Sequence, residues 1–172
     1  MKVNNVSLDA VKNFADEVQR DGSSAIKTKR VEGEWVFVEG KPQFTALVNH
    51  GASASSLEAD APDFLGGGGM KPDPVQYCLF GLAACFAQTF ASIAAEKGVR
   101  LTRLKVAAEN KVNLTKPLGL GDAPIVESVK LTAVASTEGE NSRLTEIERE
   151  ARERCPGIYC LTHPIRLETE LV

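Results

Sequence analysis

The sequence predicts an α+β fold with antiparallel sheets, and three observations carry that expectation. A long apolar helix with clear start and stop signals occupies the middle of the chain. Extended segments flank it in pairs joined by short turns, as hairpins require. The resulting order, helix, strand pair, central helix, strand pair, helix, strand, lacks the single alternation of strand and helix that builds a parallel sheet.

Ser7 caps a first helix in which Leu8, Val11, Ala15 and Val18 recur at helical spacing and Gly22 supplies the stop. That helix is expected at the surface with one apolar face docked. Ile26 to Phe37 and Phe44 to Asn49 read as strands joined by the turn Glu39-Gly40-Lys41-Pro42. Ala52 to Pro72 loses periodicity and contains the run Gly66 to Gly69, which reads as a mobile connecting loop.

The central helix follows, from Pro74 to about Lys97. Asp73 is its N-cap, Pro74 suits the first helical position, Gln76 completes a capping box and Gly98 stops it. At 1.5 Å per residue it is about 36 Å long. Cys78, Leu79, Leu82, Phe86, Phe90 and Ile93 form a broad apolar face, and glycine and alanine cover much of the rest, so packing is expected on several sides. Leu101 to Leu114 and Ile125 to Ser136 read as strands. Ser142 or Thr145 then opens an amphipathic helix with Leu144, Ile147, Ala151 and Cys155 on one stripe, and Leu161 to Leu171 reads as a last strand.

At 172 residues the chain is expected to be one domain, 1–172, with 43% hydrophobic and 25% charged residues in the ordinary globular range. A net charge of −3 gives no basic surplus, which argues against nucleic acid or an anionic membrane as partner. No apolar run is expected to reach the ~18 residues that span a bilayer, and the start of the chain lacks the order of a secretory signal. These features point to the cytoplasm, where four cysteines read as thiols, metal ligands or catalytic groups rather than structural disulfides.

Two of those cysteines carry the chemistry. Cys85 lies deep in the central helix, and Cys155 closes the later one at Arg154-Cys155-Pro156. A thiol at two such sites suggests a redox pair, although both positions also suit a small buried hydrophobe. Cys85 is too far from its helix start to benefit from the macrodipole, so a reactive thiolate there needs a cation from another element. Cys155 sits at the negative end of its helix, which makes Cys85 the better nucleophile and Cys155 the better resolving thiol. Cys78 and Cys85 are seven positions apart, about 10 Å in rise, and cannot bond without unfolding the helix. A zinc set of Cys155, Cys160 and His163 completed by His50 or Cys85 is the weaker alternative, because that spacing is not a common one and Pro164 follows His163. The glycine runs lack the sequence context of a phosphate loop, and two histidines leave little room for a hydrolase triad. Neither a metal nor an organic cofactor is expected.

The segment Pro74 to Phe86, ending Ala83-Ala84-Cys85-Phe86, and the later helix ending Arg154-Cys155-Pro156 resemble the two signatures of the OsmC/Ohr family, the osmotically inducible protein C and organic hydroperoxide reductase group. The resemblance covers 25–172 and leaves 1–22 as an added helix. It implies an OsmC-like fold in an intertwined homodimer, with antiparallel sheets wrapped around two long central helices and active sites at the interface. It also implies thiol peroxidase chemistry in oxidative stress defence. Cys85 attacks an organic hydroperoxide and becomes sulfenic acid, Cys155 condenses with it to a disulfide, and a dithiol reductant, such as a lipoyl-type group, reopens the bond. The implied oxidised product is Cys85–Cys155, with Cys78 and Cys160 free. The peroxide-reducing members carry a glutamate directly after the helix-start proline, which orients an arginine from the first hairpin onto the thiol; here that position is Val75. The candidates for the activating cation are Lys41 in the hairpin turn and Arg30 earlier in the strand. The departure at Val75 leaves a second reading, a non-catalytic OsmC-like protein that binds a small apolar ligand at the dimer cleft.

Overall fold

The computed structural model describes residues 1–172. It is α+β, with helices and three small antiparallel sheets. The chain forms two compact units, one of residues 1–12 with 79–172 and the other of residues 13–78.

The larger unit opens with a hairpin that the sequence reading did not anticipate, β1 (Lys2–Val3) and β2 (Val6–Ser7). Its two-residue turn is Asn4-Asn5, both at positive φ (52° and 62°), a conformation asparagine tolerates better than most residues. The Asn4 side chain accepts from the Leu101 N–H and donates to the Val99 carbonyl, both at 2.9 Å. It thereby fastens the turn that leaves the central helix.

That helix, α2 (Pro74–Glu96), runs from one unit into the other, α1 being the earlier helix Leu8–Arg20. The α2 start follows the sequence signal, since Gln76 N–H donates to Asp73 Oδ1 and Asp73 N–H to Gln76 Oε1, each at 3.0 Å. Gly98, at φ 69°, ends it in the left-handed region, and the Val99 N–H reaches back to the Ala94 carbonyl. The long strands β6 (Leu101–Val112) and β7 (Val126–Thr137) pair antiparallel and leave one apolar face for α2 and α3 (Leu144–Arg154). The core consists of Phe86, Phe90, Ile93 and Ala94 of α2, Ile147 and Ala151 of α3, and Cys155, packed against β-sheet residues such as Leu104, Val106 and Leu131. Charged side chains seal the edge where α2 meets α3. Lys97 Nζ lies 2.8 Å from Glu146 and 2.6 Å from Glu150, and the Arg154 guanidinium grips both oxygens of Glu96.

The smaller unit holds a three-stranded sheet, β3 (Gly33–Trp35), β4 (Phe44–His50) and β5 (Ser53–Ala59), in the order β3-β4-β5. Several expectations need correction here. The strand expected over Ile26 to Phe37 shrinks to three residues. Ile26 and Val31 are 80% and 64% exposed, so the apolar alternation has nothing to bury against. The expected loop from Ala52 instead begins with β5, whose register with β4 runs from Phe44↔Ala59 to His50↔Ser53. Its Ser-Ala-Ser-Ser composition carries almost no strand propensity, and the ladder with β4 overrides it.

The glycine run is likewise a built turn rather than a loose connector. A Cβ on Gly67 would overlap the Ala61 carbonyl, and Gly66 and Gly69 adopt positive φ. Asp60, 2% exposed, holds the run through Oδ2, which accepts from the Gly68 and Met70 N–H groups.

Three more differences concern helices. No residue of α1 is buried, so its apolar stripe is not docked as expected. The final strand expected over Leu161 to Leu171 is replaced by α4 (Pro156–Thr162) and an irregular tail. Pro156 at the first helical position favours that start, while Leu167 and Leu171 stay exposed with no strand to pair them. Finally, α2 is long and apolar enough by length and composition to cross a bilayer, contrary to the expectation that no run reaches that length. Only 33% of its apolar window is buried, so the expected packing on several sides is not reached within this chain.

Candidate active site

The fold brings Cys85 and Cys155 together across 70 positions of sequence. Cys85 lies on the face of α2 that meets the end of α3, and its Sγ is 3.6 Å from Cys155 Sγ. Both are free thiols. A disulfide has an S–S length of about 2.05 Å, so closing the pair needs a movement of about 1.5 Å. The two thiols differ in access: Cys155 is 1% exposed and belongs to the core, whereas Cys85 is half-buried at its edge.

Local sequence explains this placement. Cys155 leaves the α3 helix with extended backbone, φ −78° and ψ 117°, and at once serves as the N-cap of α4. It therefore stands at the start of one helix as well as at the end of another, a detail that the reading of the α3 terminus alone missed. Pro156 starts α4, and Gly157 makes the approach to α2 close. A Cβ on Gly157 would stand 3.4 Å from Cys85 Cβ, 3.6 Å from its Sγ and 3.2 Å from Leu82 Cδ1. The sequence signals Gly157 only by its place directly after Cys155-Pro156.

Burial pushes the Cys85 thiol above its ordinary range, because a desolvated thiolate is disfavoured. The Gly157 N–H, donated to Cys85, works against that rise, and the neighbouring thiols Cys155 and Cys160 add to it. No basic side chain is among the groups acting on Cys85. Of the expected activating cations, Arg30 is ion-paired with Glu32 at 2.8 Å, and Lys41 stands in the exposed turn between β3 and β4; both belong to the smaller unit. Val75 is in the first turn of α2, in the smaller unit.

The zinc alternative is not assembled, since no group of three or more His, Cys, Asp or Glu side chains is arranged to hold a metal ion. His163 stacks on Tyr159 with ring centroids 4.1 Å apart, and His50 bonds Ser55 at 2.8 Å. Beside the thiol pair, an open groove of about 930 Å³ runs between α2, β7 and the last two helices. Leu82, Phe86, Leu131 and Ile158 give it an apolar floor, and Glu127, Lys130, Glu148 and Arg152 a charged rim. Neither cysteine lines the groove, but Leu82 and Phe86 bracket Cys85 on α2. Phe80, five positions before Cys85, is 71% exposed and does not line it.

Residues 66–170, more than half of the chain and including both cysteine segments, match the family of OsmC-like proteins. The chain belongs to the OsmC-like family. Solved structures of the OsmC/Ohr group share its fold. An OsmC-like protein from Mycoplasma pneumoniae is 20% identical with a TM-score of 0.58, covering 78% of this chain and 89% of that one. An organic hydroperoxide resistance protein from Legionella pneumophila is 18% identical with a TM-score of 0.55, covering 80% and 90%. An OsmC-like protein of unknown function from Vibrio cholerae is 15% identical with a TM-score of 0.59, covering 77% and 92%. No curated protein is significantly similar to this OsmC-like chain.

Proposed function

We propose that this protein is a thiol-dependent reductase of organic hydroperoxides acting in oxidative stress defence, with Cys85 as the attacking thiol and Cys155 as the resolving one. The observation that carries the reading is the 3.6 Å separation of their sulfurs, one half-buried and one fully buried. The Cys85 thiolate attacks the terminal oxygen of the hydroperoxide, the O–O bond breaks, an alcohol leaves and Cys85 becomes sulfenic acid. Cys155 sulfur then displaces hydroxide, which leaves as water with the Cys155 proton, and the S–S bond forms. A dithiol returns two electrons and two protons. Membership of the family, together with organic hydroperoxide resistance proteins of the same fold, supports this chemistry. So does the apolar floor beside Cys85, which suits an alkyl substituent. The cytoplasm, a reducing compartment, is where such a cycle finds its dithiol.

The thiolate requires a basic side chain beside it, and Lys41 and Arg30 are the candidates. We further read residues 1–172 as one OsmC-like domain acting as a homodimer. The family match running through the boundary between the units favours one domain, and the poorly buried α2 favours a second copy. The test is consumption of an alkyl hydroperoxide with dihydrolipoamide as reductant. Turnover well above that of Cys85→Ser is expected, and turnover equal to it rejects the reading.

The elevated Cys85 thiol and Val75 favour one competitor, a non-catalytic protein holding a small apolar ligand at the dimer cleft. A ligand retained in native mass spectrometry, with thiols inert to peroxide, is its signature.

A further inference from the structure

A further thiol, Cys160, stands on the short helix that packs against Cys85. Gly157 and Cys160 are three positions apart on α4, so they share a face of that helix. Gly157 is the residue in contact with Cys85, its Cβ position being 3.4 Å from Cys85 Cβ. With about 5–6 Å between Cβ positions at that spacing, Cys160 Cβ lies within about 9 Å of Cys85 Cβ. Unlike Cys155, Cys160 is exposed. The element carrying it is short, seven residues, and is followed by a tail with no ladder or helix of its own. Swinging its last turn toward α2 requires little structure to be lost.

We infer that Cys160 is a third catalytic thiol, which takes over the bond to Cys85 from buried Cys155 and presents it to the external reductant at the surface. This role rests on the Cys85–Cys155 reading above and departs from the expectation that Cys160 stays free. In the step, the Cys160 thiolate attacks Cys85 Sγ, the Cys85–Cys155 bond breaks and a Cys85–Cys160 bond forms. Cys155 leaves as a thiolate and takes up the proton that Cys160 gave up, so no net oxidation or reduction occurs. A dithiol then attacks exposed Cys160 Sγ and, on closing its own disulfide, returns Cys85 and Cys160 as thiols. The alternative product, Cys155–Cys160, is disfavoured because its partners are the N-cap and the fifth residue of one helix, about 7.5 Å apart in rise, so closing it unwinds α4 from its first turn, whereas Cys85–Cys160 moves only the last turn. A charge on Cys160 is felt at Cys85, consistent with their proximity.

The experiment oxidises the full-length protein with one equivalent of cumene hydroperoxide, quenches at intervals by alkylation and maps the disulfides, in wild type and Cys160→Ser. Wild type should show Cys85–Cys155 first and Cys85–Cys160 later, with Cys155 becoming alkylatable. Cys160→Ser should stop at Cys85–Cys155. Its turnover with dihydrolipoamide should fall by about tenfold, because exchange follows access to the attacked sulfur. Turnover of Cys160→Ser equal to wild type, with Cys160 alkylatable throughout in wild type, overturns the inference and leaves the Cys85–Cys155 reading intact. Absence of a Cys85–Cys155 link at every time in both proteins overturns that reading as well.

Discussion

The two units of this chain solve the burial problem unequally. Residues 79–172, with the N-terminal hairpin, close a core in which Phe90, Ile93, Ile147 and Cys155 are almost wholly inaccessible. Residues 13–78 bury only Ala46, Ala59 and Asp60, and leave Trp35, Phe44 and Leu57 along an open apolar hollow of about 430 Å³. The difference teaches where the chemistry can be prepared by one chain and where it cannot. The unit with a finished core sets two sulfurs 3.6 Å apart without help. The unit with an unfinished one carries both candidate cations, Lys41 and Arg30, and its exposed apolar sheet is the kind of surface that a second copy of the chain covers in the proposed dimer.

The contrast can be broken most severely in the finished core. Phe90→Ala should cost about 3–5 kcal/mol in urea unfolding, because Phe90 is 2% exposed and packs its ring against Phe86 at 6.2 Å. A loss below about 1 kcal/mol would show that this core is not closed. Trp35→Ala probes the other unit. If a second copy covers the hollow, the substitution should weaken the dimer by about 2 kcal/mol in sedimentation, as for a buried aromatic anchor. A change under about 0.5 kcal/mol is what an uncovered surface residue gives. Dilution tests the same point without mutation. For an obligate homodimer, whose interface buries about 2,000 Å² or more, a tenfold dilution should lower apparent stability by about 1.4 kcal/mol per dimer, and a concentration-independent, folded monomer would contradict the assembly.

The smallest effect concerns the clasp between α2 and α3. Lys97 holds the Glu146 carboxyl below its usual range, first through their hydrogen bond and then through charge. A lowered carboxylate contributes stability that is present above its unfolded pKa and lost as pH falls through the folded one. Acid should therefore loosen the clasp slightly, and Glu146→Gln should flatten the acid side of a stability–pH curve. Identical acid slopes in both proteins would show that the ion pair contributes nothing measurable.

What could be read in the sequence was local. Asp73, Pro74, Gln76 and Gly98 delimit α2 through backbone rules that act within one turn, and they place its ends within a residue. The strand expected over Ile125 to Ser136 emerges near those limits as β7, where Leu131, Ala133 and Ala135 pack on a core supplied by neighbouring helices. Elements that depend on distant partners were less legible. The β5 strand exists because β4 offers it a complete ladder, which serine and alanine do not advertise. The expected strand after Leu161 had apolar residues but no partner within the chain, and Cys155-Pro156 started a helix instead. The site followed the same division. Cys85 and Cys155 stood out by their helical contexts, whereas Gly157 matters only because α4 folds back on α2, a tertiary event that no local pattern encodes.

The central claim, that Cys85 and Cys155 act as a redox pair, is tested most directly by trapping the product of a single turnover. The reduced protein is mixed with one equivalent of an alkyl hydroperoxide, quenched within the first turnover by alkylation, and mapped by peptide mass spectrometry. The account predicts that the first disulfide to appear joins Cys85 to Cys155, with Cys78 alkylated and one alcohol released per bond formed. A first bond between Cys155 and Cys160, or peroxide left unconsumed with all four thiols alkylated, would contradict it.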